Sequence, residues 1–534
     1  MNLYLGLDSS TQSLSAIVLA VDGDRAHVVF ESSLQFDDAL PRYGTRHGVL
    51  PSDDLSVAVS PPLMWADALD VMLGRIAASG LDLRGLTAIA GSAQQHGSVY
   101  LNAGARSVLA RMDPARAPGE QLTGCLSRPV APIWMDSSTA VECDELAAAV
   151  GGDDALAART GSRAFERFTG PQIRKFFKRE PDAYAATDRI HLVSSFLASL
   201  LAGRHASIDP GDGSGTNLMD LSTATWWPEA VDATAPSLGS KLPPIARPWS
   251  LAGTLSPYWQ VRHGLRAANV VVWSGDNPCS LIGTGLVREG LAAISLGTSD
   301  TIFGLMREPR IDRTGTGHVF GAPTGAFMGL TCFSNGSLAR ERVRDMFALD
   351  WIGFSRALAA SPPGNDGRIL LPWFVPEITP AVAAPGIHRF RLADDDAAAH
   401  VRGVVEAQML SMALHSQWMH VEFDTMHATG GASVNREILQ VMADVFGAEV
   451  RQLAVKNSAC LGAALRARHA HTVAEGRALE WEAIVRDVVE PLPGTLRPDR
   501  HRHAMYRDLM RAYAACEAEA LSRAAAPSEL RIKN

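Results

Sequence analysis

Two stretches far apart in the chain repeat one device. Leu5-Gly6-Leu7-Asp8-Ser9-Ser10-Thr11-Gln12-Ser13 leads into the apolar segment Leu14 to Leu19, and Ile294-Ser295-Leu296-Gly297-Thr298-Ser299-Asp300-Thr301 leads into Ile302 to Met306. Each reads as strand, tight polar turn, strand, and each turn carries small residues whose hydroxyls and backbone N–H groups can surround an anion. Two such hairpins predict two related half-molecules facing one another, with a polyphosphate gripped between them.

The pattern recurs beyond the hairpins. Three strands are expected at Leu3 to Leu7, Leu14 to Val21 and Ala26 to Gln35, the last two joined by the turn Val21-Asp22-Gly23-Asp24. Helical spacing follows at Leu63 to Ala78, then a short strand at Leu86 to Ala90. The second half repeats this plan, with a hairpin at Ala292 to Met306, helices at Leu338 to Phe347 and His400 to Phe423, and a strand at Thr425 to Thr429. Ala428-Thr429-Gly430-Gly431-Ala432-Ser433 then corresponds to Ala88-Ile89-Ala90-Gly91-Ser92-Ala93. In the rest of the first half, Arg106 to Pro132 reads as a surface excursion, Ser138 to Val150 and Asp188 to Ala202 as helices, and Asn269 to Trp273 as a buried strand. Glu289-Gly290 is the expected boundary, dividing the chain into 1–288 and 289–534.

At 534 residues, 47% hydrophobic and 20% charged, the chain suits a folded protein of two or more domains. A net charge of -8 argues against a nucleic-acid partner. No apolar run approaches the roughly 18 residues of a membrane span, so no membrane partner and a cytoplasmic location are expected. Six scattered cysteines form no C-x-x-C pair and read as small buried hydrophobes.

Several polar positions sit where strands end. Asp8 closes the first strand, where a carboxylate either holds a hydrated Mg²⁺ against phosphate or caps its own turn. Gly297, Thr298 and Ser299, with no lysine nearby, exclude a Walker-type loop and offer hydroxyls and N–H groups to terminal phosphates; Ser10 and Thr11 are their counterparts. Gly430-Gly431 opens a helix that carries Ile438, Leu439, Met442, Val445 and Phe446 on one face and stops at Gly447, a glycine turn suited either to a flat base or to close packing of strand on helix. Asp276, in Gly275-Asp276-Asn277-Pro278 just past a buried strand, is placed either as a general base for an attacking hydroxyl or, with Asn277, as a helix cap. Gln95 and His96 in Gln94-Gln95-His96-Gly97 suit a polyol, the alternative for His96 being a structural role, and Arg163 and Arg167 further on either add donors to a sugar or pair with Glu166 and neighbouring acids.

In this order, the motifs make the chain resemble the FGGY carbohydrate kinases, and within them the animal-type xylulokinases. Trp134-Met135-Asp136-Ser137-Ser138-Thr139, Gly161 to Gly170 and Asp209 to Asn217 join those already named, so that nearly the whole chain is covered. The resemblance implies an α/β fold of two ribonuclease-H-like, actin-like ATPase domains with a central cleft, the first binding sugar and the second nucleotide. It implies ATP-dependent phosphorylation of D-xylulose to D-xylulose 5-phosphate, with ATP and Mg²⁺ as cofactors and a monomer or homodimer as the working form. By motif it implies Asp276 as catalytic base and Gln95, His96, Arg167, Asp276 and Asn277 at the sugar. It places Ser10, Thr11, Gly297, Thr298, Ser299, Trp351, Gly430, Gly431 and Asn435 at the nucleotide, and Asp8 at Mg²⁺ through water. Many bacterial xylulokinases carry Met-His where this chain has Gln95-His96. Kinases for ribulose, fuculose or glycerol are the alternatives within the family, and an actin-like or chaperone-like ATPase is the alternative outside it.

Overall fold

Long apolar runs in the opening strands require cover on both faces, and the chain supplies it with helices. The computed structural model describes residues 1–525 apart from Lys456 and from Asp24, which the sequence placed in the first hairpin turn. Asn2–Ser9 and Ser13–Asp22 are almost continuously buried, whereas Arg25–Gln35 alternates toward solvent as an outer strand should. Their seven-stranded sheet runs Leu251–Thr254, Asn269–Val271, Leu86–Ala93, Asn2–Ser9, Ser13–Asp22, Arg25–Gln35, with Ser274–Gly275 also paired to Leu86–Ala93. The first three strands in sequence are antiparallel; on the other side of Asn2–Ser9, Leu86–Ala93, Asn269–Val271 and Ser274–Gly275 run parallel and the outermost strand, Leu251–Thr254, antiparallel.

The second half builds a six-stranded sheet in the order Gly317–Gly321, Phe327–Phe333, Asp300–Met306, Leu291–Leu296, Thr425–Thr429, Glu449–Gln452. Here too the hairpin pair is antiparallel, and Thr425–Thr429 lies parallel to Leu291–Leu296 just as Leu86–Ala93 lies parallel to Asn2–Ser9. Gly317–Gly321 is an added edge strand without a counterpart in the first sheet.

Helix Pro62–Ala77 starts with proline at its first position and buries Met64, Trp65, Leu69, Met72, Leu73 and Ile76 on one face of the first sheet. The other face is covered from the far end of the chain. Ser458–Ala474 brings Cys460, Leu461, Ala464 and Leu465 against Tyr4, Ile17, Ala88 and Val271. Arg466 from that helix is fully buried and donates to the carbonyls of Gly91 (3.2 Å), Val272 (2.9 Å) and Pro248 (3.0 Å). Ala397–His415 and Arg436–Phe446 pack on the second sheet.

Helix Asp276–Gly283 is wedged between the sheets. Ile282 belongs to the apolar cluster of the first sheet and Leu281 to a cluster with Ala293 and Phe303 of the second. It crosses Ser458–Ala474 at backbone contact: a Cβ on Gly283 would lie 1.8 Å from the Ser458 carbonyl oxygen, and one on Gly462 1.9 Å from that of Cys279. Only glycine permits that approach.

Local differences from the sequence reading have physical causes. The helix expected over Asp188 to Ala202 starts only at Val193, because Thr187–Leu192 is recruited as a strand by Ser98–Asn102. The helix expected over His400 to Phe423 stops at His415, and His420 turns left-handed beyond it. Arg106 to Pro132 holds most of the short helix Ala105–Ala110 and all of Pro118–Leu122, the latter begun by proline. Four cysteines are buried, Cys332 and Cys516 are half-buried, and none is in a disulfide. Among the described residues, no helix is long and apolar enough to cross a membrane.

Candidate active site

Three neighbouring strands end in one polar row. Asp8 pairs in register with Ser92, and Ser92 with Ser274, two residues before Asp276. Ser92 Oγ donates to Asp8 Oδ1 at 2.6 Å. Burial pushes the Asp8 carboxyl up to about 7; the Ser92 hydroxyl opposes this and the nearby Asp276 charge adds to it. Asp276 is itself pushed up to about 6, by burial against the opposing backbone N–H of Asn277. Two carboxylates with raised proton affinity and, among the described residues, no arginine or lysine in ion-pair contact with either define an acidic corner.

Asp276 is the first residue of its helix, with Gly275 as the cap residue, so neither Asp276 nor Asn277 serves as the helix cap that was the alternative reading. Asn277 Nδ2 is shared between Asp276 Oδ1 (3.1 Å) and Gln95 Oε1 (2.9 Å). Gln95 Nε2 in turn donates to the Gly211 carbonyl at 3.1 Å. Both ends of the Gln95 amide are thus engaged by protein.

His96 adopts a left-handed backbone (φ 72°) and is buried. Its Nδ1 lies 2.7 Å from the Gly215 carbonyl oxygen, which assigns the proton to Nδ1 and leaves Nε2 as an acceptor. Burial and the Arg167 charge lower its pKa to about 3, so the ring is neutral. It stacks on Phe168 with centroids 4.3 Å apart, while the Arg167 guanidinium lies 5.8 Å from the Phe168 centroid and 5.0 Å from that of Phe165. Arg167 has no carboxylate in ion-pair contact among the described residues, and burial lowers its pKa. Arg163 is spent elsewhere, on Asp154 and the Arg313 carbonyl.

On the second sheet, Thr298 and Ser299 are exposed at the tip of the hairpin between Leu291–Leu296 and Asp300–Met306. Gly430 folds against that hairpin with φ 85°; a Cβ there would meet the Leu296 carbonyl oxygen at 2.5 Å. Asn435 caps Arg436–Phe446 through Oδ1, and its Nδ2 donates to Ser355 Oγ at 2.8 Å. That bond joins the glycine turn to helix Trp351–Ala360, whose first residue, Trp351, is 44% exposed. In the first hairpin, Ser10 Oγ is occupied with Ser13, and Thr11 Oγ1 accepts from Trp134 Nε1 at 2.8 Å.

Sequence reasoning missed the supports of these groups. Asp300 was only a neighbour of the phosphate turn, yet it receives a forked ion pair from Arg340 at 2.9 and 3.2 Å. Arg340 also donates to Gln408 Oε1 at 2.7 Å, and the Ser337 N–H holds the Gly297 carbonyl at 2.8 Å. His318, from Gly317–Gly321, reaches Arg167. Nothing in local spacing signals such pairs, since their members come from different elements.

The arrangement offers a base beside donors and acceptors for a polyol, and a separate anion-cradling hairpin with an exposed aromatic. Comparison with known proteins supplies the family. Residues 127–283 match the N-terminal domain model of the FGGY family of carbohydrate kinases, and residues 292–471 match its C-terminal domain model. The chain is 42% identical to the xylulose kinase of Rattus norvegicus over 98% of both chains, and 41% identical to xylulose kinase 2 of Arabidopsis thaliana over 88% of this chain and 87% of that one. Among solved structures it superposes on the xylulose kinase of Rhodospirillum rubrum (TM-score 0.81, 20% identity, 98% and 100% of the two chains). It also superposes on the glycerol kinase of Plasmodium falciparum (TM-score 0.76, 14% identity, 97% and 98%). With two actin-like sheets of one plan and the matches spanning its length, the chain belongs to the FGGY family of carbohydrate kinases.

Proposed function

We propose that this chain transfers the γ-phosphoryl group of ATP to the terminal hydroxyl of D-xylulose, giving D-xylulose 5-phosphate and ADP. The observation that carries the reading is the placement of Asp276: pushed up to about 6, without a cation partner among the described residues and held by Asn277 and Gln95, it is matched to removing a hydroxyl proton near neutral pH. The choice of sugar is supported by the full-length likeness to xylulose kinases of animals and plants.

In this account the sugar hydroxyl gives its proton to Asp276 as its oxygen attacks the γ-phosphorus. The new O–P bond forms as the bond to the β–γ bridging oxygen breaks and ADP departs. His96 Nε2 accepts from one sugar hydroxyl, while Arg167 and Asn277 donate to others. Gly297, Thr298 and Ser299 receive the phosphates, with Ser10 and Thr11 on the opposite hairpin. Trp351, Gly430, Gly431 and Asn435 form the base site. Residues 1–288 then serve the sugar and 289–534 the nucleotide, although Ser458–Ala474 returns to the first sheet.

The residues fit Mg²⁺. Among the described residues no cluster of three metal-binding side chains exists, which suits an ion held mainly by water and phosphate. Asp8, raised to about 7 with Ser92 on one oxygen, is the carboxylate a nearby dication would stabilise in its charged form. The ion would screen the β- and γ-phosphate charge.

A coupled ADP-release assay across ketoses and alditols tests the reading. D-Xylulose should give the highest kcat/KM; a higher value for ribulose, fuculose or glycerol would replace the substrate. ATP hydrolysis stimulated by unfolded protein, with no sugar phosphate formed, would instead favour a chaperone-like ATPase.

A further inference from the structure

The edge strand Gly317–Gly321 belongs to the second sheet but is covered by loops from the first half. Val319 N–H donates to the Gly161 carbonyl at 3.0 Å, and Gly321 N–H to Ser214 Oγ at 3.0 Å. On the same strand His318 is 2% exposed and spans two partners: Nε2 lies 3.1 Å from Arg167 Nη2, and Nδ1 lies 3.0 Å from Ser162 Oγ. A guanidinium has no acceptor, so Nε2 must be unprotonated and the proton sits on Nδ1, donating to Ser162. The ring is fixed edge-on to Phe165, with centroids 4.7 Å apart.

Arg167 needs such a tether. An arginine left free loses substantial rotamer entropy on being ordered by a ligand, and no carboxylate orders it among the described residues. A carboxylate partner would also neutralise it and occupy its donor fork. The neutral imidazole takes one N–H and leaves the charge and the other donors available.

We propose that His318 is a positioning residue for Arg167, so that sugar affinity is set in part by a side chain from the nucleotide-binding half. The inference rests on the sugar-kinase reading above and adds to it a determinant outside the first half.

The test is steady-state kinetics on His318→Ala, His318→Gln, Arg167→Ala and the double variant His318→Ala/Arg167→Ala, with thermal melts as a check on folding. Losing a hydrogen bond to a charged group should raise the ketose KM of His318→Ala by roughly tenfold to a hundredfold, with the KM for ATP unchanged. His318→Gln, whose Oε1 can accept from Arg167, should recover most of that loss. In the Arg167→Ala background, His318→Ala should add nothing. A wild-type ketose KM in His318→Ala overturns the proposal, as do additive losses in the double variant, a parallel rise in the ATP KM, or a loss that glutamine does not relieve. A wild-type enzyme inactive on every ketose overturns the sugar-kinase reading itself and this inference with it.

Discussion

Arg340 forks onto Asp300 at 2.9 and 3.2 Å with both side chains only 1% exposed, directly beneath the turn expected to hold phosphate. Burial alone would raise the Asp300 pKa strongly, and the guanidinium is the main opposing influence. Arg340→Ala should therefore leave a stranded carboxylate and destabilise the protein by about 3–5 kcal/mol. Urea unfolding checks this, and replacing both residues by leucine should restore much of the stability while the ATP KM stays high. A stable Arg340→Ala with normal ATP kinetics would remove the pair from the design of the turn.

Helix crossing predicts a second effect. Because a Cβ at Gly462 would lie 1.9 Å from the Cys279 carbonyl oxygen, Gly462→Ala must displace one helix of the pair. Overpacking of this kind costs about 1–3 kcal/mol, more where backbone is the obstacle. The displaced partner is the helix that begins with Asp276, so kcat should fall together with the melting temperature.

The acidic corner makes stability depend on pH. Asp8 and Asp276 ionise near 7 and 6 in the folded chain against an ordinary 3.8, so between about pH 4 and 7 the folded state holds more protons than the unfolded one. Stability then falls as pH rises through that window, by roughly 3–4 kcal/mol for each of the two groups. Melting of the ligand-free protein from pH 4 to 8 should show the decline, and Asp8→Asn should lessen it. Turnover has the opposite slope, since the base must be ionised: kcat/KM should rise as the pair titrates near pH 6–7 and level off above.

Trp351 stands 44% exposed beside the Asn435–Ser355 bond, with Arg344 4.6 Å above its ring. Trp351→Ala should raise the ATP KM by roughly tenfold, the value of one aromatic stacking contact of about 1–3 kcal/mol. The sugar KM should not move.

What the sequence made legible were features carried by local periodicity. The two hairpins, the glycine turn at Gly430 and the strand leading to Asp276 each announce themselves within about ten residues, and the structure places all of them at strand ends. Gln95 is legible in the sequence as a polar residue just past a strand, but the direction of its amide depends on Gly211, which no local pattern ties to it. The Arg340–Asp300 pair and the Arg466 clamp on Gly91 and Val272 join buried charges to distant strands. The partners of each pair lie on elements far apart in the chain, so only the fold reveals them. His318 lies on an edge strand added to the common plan, where the repeat between halves gives no guide.

Asp276→Ala, studied by coupled ADP release and by calorimetric titration with D-xylulose, tests the central claim most directly. The account predicts turnover reduced by about a hundredfold to ten-thousandfold, the usual worth of a positioned general base, with sugar binding still measurable. Turnover like that of the wild type would contradict it.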